Sequence, residues 1–288
     1  MVAWPDLDGA SQRWLHVLKH GGGSMSKTIQ ALARGLKVVN VIDAEDAPVS
    51  LKDLHEATGI DKATILRILA TLESEGWVYR GIGDNRYRLT YKLHDLGMRL
   101  SVEDAIAQVS APVLDRLQKE LQWPSDISVY DGEGMSIIET SRRRSPFVVN
   151  REVLGYKPSI LMSAMGRAYL AYCDERRLAV ILEASRKRGG KEAELASNIK
   201  HIDSMLSEIR EKGYAERAPD ITTLHSDEEV DLDAIAVPII VMGDVQASLN
   251  LVWMKSAYSE EGVKERFYLS LKNASEELAN IFQKNHIY

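Results

Sequence analysis

The fold is decided by SLKDLHEATGIDKATILRILATLESEGW, Ser50 to Trp77, continued by VYRGIGDNRYRL, Val78 to Leu89. Ser50 and Asp53 make the Ser-x-x-Asp start of a helix, in which each side chain satisfies a free backbone N–H of the first turn. That helix begins near Leu51 and closes at Gly59, which tolerates the left-handed conformation; Ile60 then plugs the core and Asp61 N-caps the next helix. A connection of only Gly59-Ile60-Asp61 is what a helix-turn-helix requires.

In the second helix Ile65, Ile68, Leu69 and Leu72 recur at the 3.6-residue period and predict an inward face. Ala63, Arg67, Ala70 and Ser74 lie opposite, with Lys62 and Leu66 on one flank. Small residues around one long base suit a DNA major groove, so Lys62, Ala63, Thr64, Leu66 and Arg67 are candidate contacts. Gly76 ends the helix, and WVYR and RYRL flank the turn Gly81 to Asn85. Arg86 and Arg88, two apart on a strand, point to one side and form a wing over the phosphates. An ordinary helical hairpin with solvated charges fits the same letters, but the order of cap, glycine turn, second helix and basic hairpin favours DNA.

With 288 residues, 45% hydrophobic and 27% charged, the chain has the length of two domains and the composition of a soluble globular protein able to bury a core. A net charge of −6 argues against nucleic acid only if it is spread evenly, and it is not. Between residues 62 and 92, Lys62, Arg67, Arg80, Arg86, Arg88 and Lys92 stand against Glu73, Glu75 and Asp84, whereas the chain beyond is net acidic. A single cysteine, Cys173, excludes an internal disulfide, and without a CxxC or His/Cys cluster no structural zinc is expected. No apolar run approaches the roughly 20 residues of a membrane span, and the N-terminus is too polar for a signal peptide; a cytoplasmic protein without a membrane partner is expected.

Residues 1–25 read as an N-terminal extension, with Gly21-Gly22-Gly23-Ser24 a flexible joint and Met25 a candidate natural start. The helix-turn-helix domain then occupies 26–90. Its first helix, Ile29 to Ala44, carries Leu32, Leu36, Val39 and Ile42 in helical register as the face that packs under the other two, and Arg34 lies off that face as a further candidate DNA contact. From 91 to 121 two linker helices are expected, with Leu93, Leu96 and Leu100, then Ile106, Val109, Val113 and Leu117, interrupted by Ser101 and bent or restarted at Pro112. Apolar residues there pair with a second copy or pack on the C-terminal domain; self-association as a homodimer or homotetramer is favoured.

Residues 122–288 mix strands and helices. DISVYDG and SIIET make one hairpin, SAMGRAYLAY a helix, 198–212 another, IAVPIIVMGDVQASLNLVWM a second hairpin turning at Gly243-Asp244, and 260–283 a long helix. This order gives an antiparallel sheet with helices on its faces, an α+β class.

Catalysts are absent from the pattern: no HExxH, GxSxG, Walker loop or GxGxxG occurs, and no reaction or cofactor is expected. Asp126, Asp131 and Glu139 can pair, but solvated strand-edge carboxylates are the better reading. Cys173 reads as a buried structural thiol rather than a reactive one. In KPSILMSAMGRA, Ser163, Ala164 and Met165 open a helix whose free N–H groups and dipole suit a small carboxylate. Ala164 and Gly166 being small merely for close helix–sheet packing is an equal reading.

Taken in order, ARGLKVVNVI, GIDKATILRILATLESEGWV, YRLTYKLHDLG, LMSAMGRAYLAY and IAVPIIVMGDVQASLNLVWM resemble the IclR family of bacterial transcriptional regulators over roughly residues 29–285. Within it LQWPSDISVYDGEGMSIIETSRRRS and ASLNLVWM most resemble the activator of hydroxyphenylpropionate catabolism. The resemblance implies a winged helix-turn-helix joined to a GAF-like domain that binds an aromatic carboxylate. Its pocket would include Ser163, Ala164, Met165, Ala234, Asn250 and Val252. Many members have cysteine where this chain has Ala234 and Ser-x-Ser where it has Asn250 and Val252, and the acidic loop Asp227-Glu228-Glu229 is short. Loss of hydroxyls favours a larger, more apolar ligand, with Met162, Met165 and Trp253 against its ring.

The expected function is therefore a ligand-responsive transcription factor on double-stranded operator DNA, an activator of an aromatic-acid operon contacting RNA polymerase. A repressor of such an operon is the near alternative; a sensor or enzyme that does not bind DNA is the distant one.

Overall fold

The computed structural model describes residues 28–147, 151–219, 232–257 and 260–288, the side chains of 260–265 excepted. The N-terminal extension and the Asp227–Glu229 loop lie outside the described residues. The chain divides into two compact units, one up to Ser101 and one from Val102.

The first unit holds α1 (Gln30–Ala44), α2 (Leu51–Thr58), α3 (Lys62–Ser74), β1 (Val78–Arg80), β2 (Tyr87–Leu89) and the short α4 (Lys92–Gly97). Local chemistry sets the boundaries. Ser50 accepts from the Asp53 N–H at 3.2 Å while Asp53 accepts from the Ser50 N–H at 2.9 Å, closing the capping box. Gly59 ends α2 at φ 69°, and Asp61 caps α3 by accepting from the Thr64 N–H at 2.8 Å. β1 and β2 pair antiparallel, and Val49 makes a single antiparallel bridge to Tyr87. The core comprises Val38, Ile42, Val49, Leu54, Ile65, Leu69, Val78 and Tyr87.

One expectation for α1 is corrected. Val38 and Ile42 face inward, whereas Leu32 and Leu36 are 59% and 53% exposed. Only the C-terminal half of α1 lies over this small core, and its inward stripe runs through Val38 and Ile42, four residues apart on one side.

The second unit opens with α5 (Val102–Leu121), which the sequence assigns to a connecting segment. Here it packs within the unit: Ile106, Val109, Val113, Leu114 and Leu117 are all buried. The helix runs unbroken through Pro112, which forgoes one backbone hydrogen bond rather than ending it. There follow β3 (Asp126–Tyr130), β4 (Met135–Thr140), α6 (Ala164–Tyr172), α7 (Glu175–Arg188), α8 (Gly190–Ser197), α9 (Ile199–Lys212), β5 (Ala215–Glu216), β6 (Leu232–Val241), β7 (Asp244–Met254) and α10 (Glu260–Asn285). The sheet order β4-β3-β7-β6-β5 is antiparallel at every pairing. α5 and α10 pack together and on the sheet, and α6 packs on β5, β6 and β7 with α9 beside it. This is the expected α+β architecture. Among the described residues no helix is long and apolar enough to cross a membrane.

Candidate nucleic-acid interface and effector site

Helix α3 buries Ile65 and Leu69 and half-buries Ile68 and Leu72, so its opposite side is free. Lys62, Ala63, Leu66, Arg67 and Ala70 are all exposed on it, and Thr64 is half-buried. Lys62 and Arg67 form no ion pair among the described residues, and the same holds for exposed Arg34 on α1. That face carries uncommitted positive charge around small side chains.

The wing cations are placed differently. Arg88 donates to both carboxylate oxygens of Asp84, at 3.1 and 2.5 Å, and this bond holds the Asp84 carboxyl down at about 2. Arg86 donates to the Pro48 carbonyl at 2.9 Å and lies 3.7 Å from Asp53. Each reaches a phosphate only by relaxing a partner the sequence pattern does not reveal. The wing tip presents Ile82, fully exposed, and Tyr79 in the middle of β1 is 47% exposed.

In the second unit the seven proposed effector residues are all buried: Met162, Ser163, Ala164, Met165, Ala234, Asn250 and Val252. Ser163 N-caps α6, accepting from the Gly166 N–H at 3.0 Å, which leaves the first-turn donors of Ala164 and Met165 without intrahelical partners. Gly166 has its own reason to be small, since a Cβ there would collide with the Ile160 backbone. Ser248 on β7 donates to the Met165 carbonyl at 3.0 Å, so the Ser248–Asn250–Val252 side of the strand faces α6. Ala234 is the cross-strand partner of Val252, and Ala236 of Asn250, which puts both on that face. Ala164, Met165, Ala234, Ala236 and Val252 share one core cluster. Trp253 has the opposite parity and lies on the other side of the sheet, so it cannot line the ring assigned to it.

Asn250 also has a task unforeseen in the sequence. Its Oδ1 accepts from the Asp126 N–H at 2.7 Å and its Nδ2 donates to Asp126 Oδ2 at 3.1 Å. Asp126 is fully buried, contrary to the solvated edge carboxylate expected, and takes Nε and Nη2 of Arg142 at 2.9 and 2.8 Å and the Thr140 hydroxyl at 2.7 Å. Burial pushes the Asp126 carboxyl up, but the charge of Arg142 and these hydrogen bonds outweigh it and hold it below the usual carboxylate range. Arg142 also acts with Arg217 on the half-buried Tyr156, whose phenol is raised by burial against their pull. The only hint of this network in the sequence is the run Arg142-Arg143-Arg144, which looks like surface. Asp131 instead pairs with Lys157 at 2.8 Å, and the Ser128 hydroxyl, on the α6 side of β3, is buried without a protein partner. Cys173 is buried and its thiol is pushed up to about 11 by that burial, the inert structural case. No group of three metal-ligating side chains occurs among the described residues.

Comparison with known proteins agrees with both halves. Residues 31–81 match the IclR helix-turn-helix domain and residues 99–280 the bacterial transcriptional regulator IclR C-terminal domain. The chain is 26% identical over 253 residues to the HTH-type transcriptional regulator KdgR of Escherichia coli, covering 84% of this chain and 89% of that one. It is 26% identical over 256 residues to the Pca regulon regulatory protein of Pseudomonas putida, covering 87% and 83%. In fold it is similar to the Thermotoga maritima IclR crystal structure, with a TM-score of 0.50 at 22% identity, over 89% of this chain and all of that one. The winged helix-turn-helix, the α+β effector-binding domain and these matches together establish that the chain belongs to the IclR family of DNA-binding transcriptional regulators.

Proposed function

We propose that this regulator responds to a small aromatic carboxylate and activates an operon for breakdown of such an acid, recruiting RNA polymerase on double-stranded operator DNA. One observation carries the ligand class. With Asn250 tied to Asp126 and Ser248 to the Met165 carbonyl, the assigned strand positions left toward α6 are Ala234 and Val252, which have no polar side-chain atom, beside the single hydroxyl of Ser128. Anion-favouring N–H groups of Ala164 and Met165 beside an apolar wall suit a charged end on a hydrophobic ring. Met162 and Met165 supply adaptable surface for that ring.

A calorimetric panel of 3-phenylpropionate, benzoate and short-chain acids tests this. An aromatic acid should bind and stabilise the protein, and Ala164→Leu, which fills the site, should abolish that binding while operator affinity stays within a factor of two. A variant that still melts cooperatively and binds the acid as tightly as wild type would place the pocket elsewhere.

We further propose a homodimer or homotetramer. Leu96, Met98 and Leu100 are 45%, 72% and 73% exposed around the end of α4, and Leu93 is half-buried. One winged helix offers little surface for selective binding, which pairing doubles on an inverted repeat. Light scattering should give at least twice the 32.2 kDa chain mass; a monomer both free and on DNA would contradict it.

A further inference from the structure

We infer that Leu66 is a base-reading residue, its side chain packing on a thymine C5-methyl in the operator major groove. This rests on α3 being the element that enters DNA. Leu66 is 47% exposed in the middle of a helix whose core-facing positions, Ile65 and Leu69, are already filled and fully buried. It is not part of the hydrophobic core cluster of the first unit, and about half of its surface stands in solvent.

A lone exposed leucine is ordinary on a protein surface. What distinguishes this one is its setting. Ala63 precedes it by three residues and Ala70 follows by four, so both lie along the same stripe and their side chains end at a methyl group. The longer side chains along that side of the helix are Lys62, four residues before Leu66, and Glu73, seven after it, so the short stretch is the one between them. The exposed positions from Lys62 to Ala70 include no Asp or Glu, and the cations Lys62 and Arg67 flank Leu66 without an ion pair among the described residues. The N-cap carboxylate of Asp61 is bonded back to the Thr64 N–H rather than projecting. Charge thus selects a polyanion as the occupant of this face, while Leu66 itself has no donor or acceptor.

The thymine methyl is the one apolar group that base pairs display in the major groove, and Leu66 can recognise nothing else there. Arg67, the next residue along the helix, has the bidentate donors that suit guanine O6 and N7. The two side chains being adjacent, each half-site should place a thymine within one or two base pairs of a guanine. Position supports this, because Leu66 and Arg67 fall in the N-terminal half of α3, the part of a recognition helix that meets base edges.

The test uses the full-length protein. Operators are selected from a random duplex pool, and each thymine of the winning sequence is then replaced by deoxyuridine, which removes the C5-methyl and nothing else. Wild type should lose about fourfold in affinity at one thymine per half-site, the factor for one buried methyl. Leu66→Ala should be insensitive at that position and retain its response to guanine substitution. Circular dichroism of the variant controls for folding, since alanine at an exposed helix position is well tolerated. If no deoxyuridine weakens wild type, or if Leu66→Ala loses the same factor as wild type, Leu66 does not read the methyl. Failure to enrich any sequence at all would overturn the entry of α3 into DNA, and the inference with it.

Discussion

Asp126 shows how one residue's chemistry shapes the second unit. A fully buried carboxylate survives there because Arg142, Thr140 and Asn250 meet both its oxygens. Removing only the cation should be costly: Arg142→Met is expected to destabilise the unit by about 3–5 kcal/mol, and the double variant Asp126→Asn/Arg142→Met by clearly less. Chemical denaturation of the three proteins measures both. The pH dependence follows from the same pair. A carboxyl held below its unfolded value of about 3.9 contributes stability above that pH and loses it as pH falls through the lower folded value. Arg142→Met should raise the folded value, leaving burial opposed only by the Thr140 and Asn250 hydrogen bonds, so that acid destabilisation begins at a higher pH than in wild type. Equal stability of Arg142→Met and wild type at pH 7 would show that the pair is dispensable. This residue was not legible in advance because β-strand alternation says which positions share a face, and nothing local says that a cation 16 residues along the chain folds back onto one of them.

At the scale of elements, legibility followed the strength of local signals. The capping box at Ser50, the left-handed Gly59, the Asp61 cap and the Gly243 turn each fix a boundary through backbone chemistry, and the structure has them all. The helices α7 and α8 were not read from the sequence, although Asp174 caps α7 through the Arg177 N–H at 2.8 Å; their core-facing residues are few, only Ile181, Leu182, Ser185 and Ala196 being buried. The exposed Leu32 and Leu36 of α1 depart from its apolar stripe for a related reason, since periodicity marks a stripe and cannot say how far the core extends beneath it. For the DNA site, exposure of the α3 face was legible and the pairing of the wing arginines was not. That pairing separates two predictions. Arg67→Ala should weaken operator binding by about 1–3 kcal/mol and relax sequence preference, because its guanidinium is uncommitted. Arg88→Ala should weaken operator and random DNA alike, and by less than Arg67→Ala weakens the operator, because Asp84 already neutralises Arg88. Fluorescence anisotropy across a salt series distinguishes them; an Arg88 variant that loses sequence preference as Arg67→Ala does would mean that the wing reads bases.

As a whole, the molecule joins a unit whose α3 face is exposed and cationic with a unit that buries the start of α6 against the sheet, the site proposed for the effector. An effector in the second unit regulates the first only if it binds the DNA-bound and free forms unequally, and the coupling must then be reciprocal. The most direct measurement is operator affinity of the full-length protein, by anisotropy, with and without a saturating aromatic acid identified by calorimetry. The account predicts a shift of at least about fivefold, the lower end of allosteric coupling, and an equal shift in acid affinity when operator is present. An operator affinity unchanged by an acid that demonstrably fills the C-terminal site would contradict it.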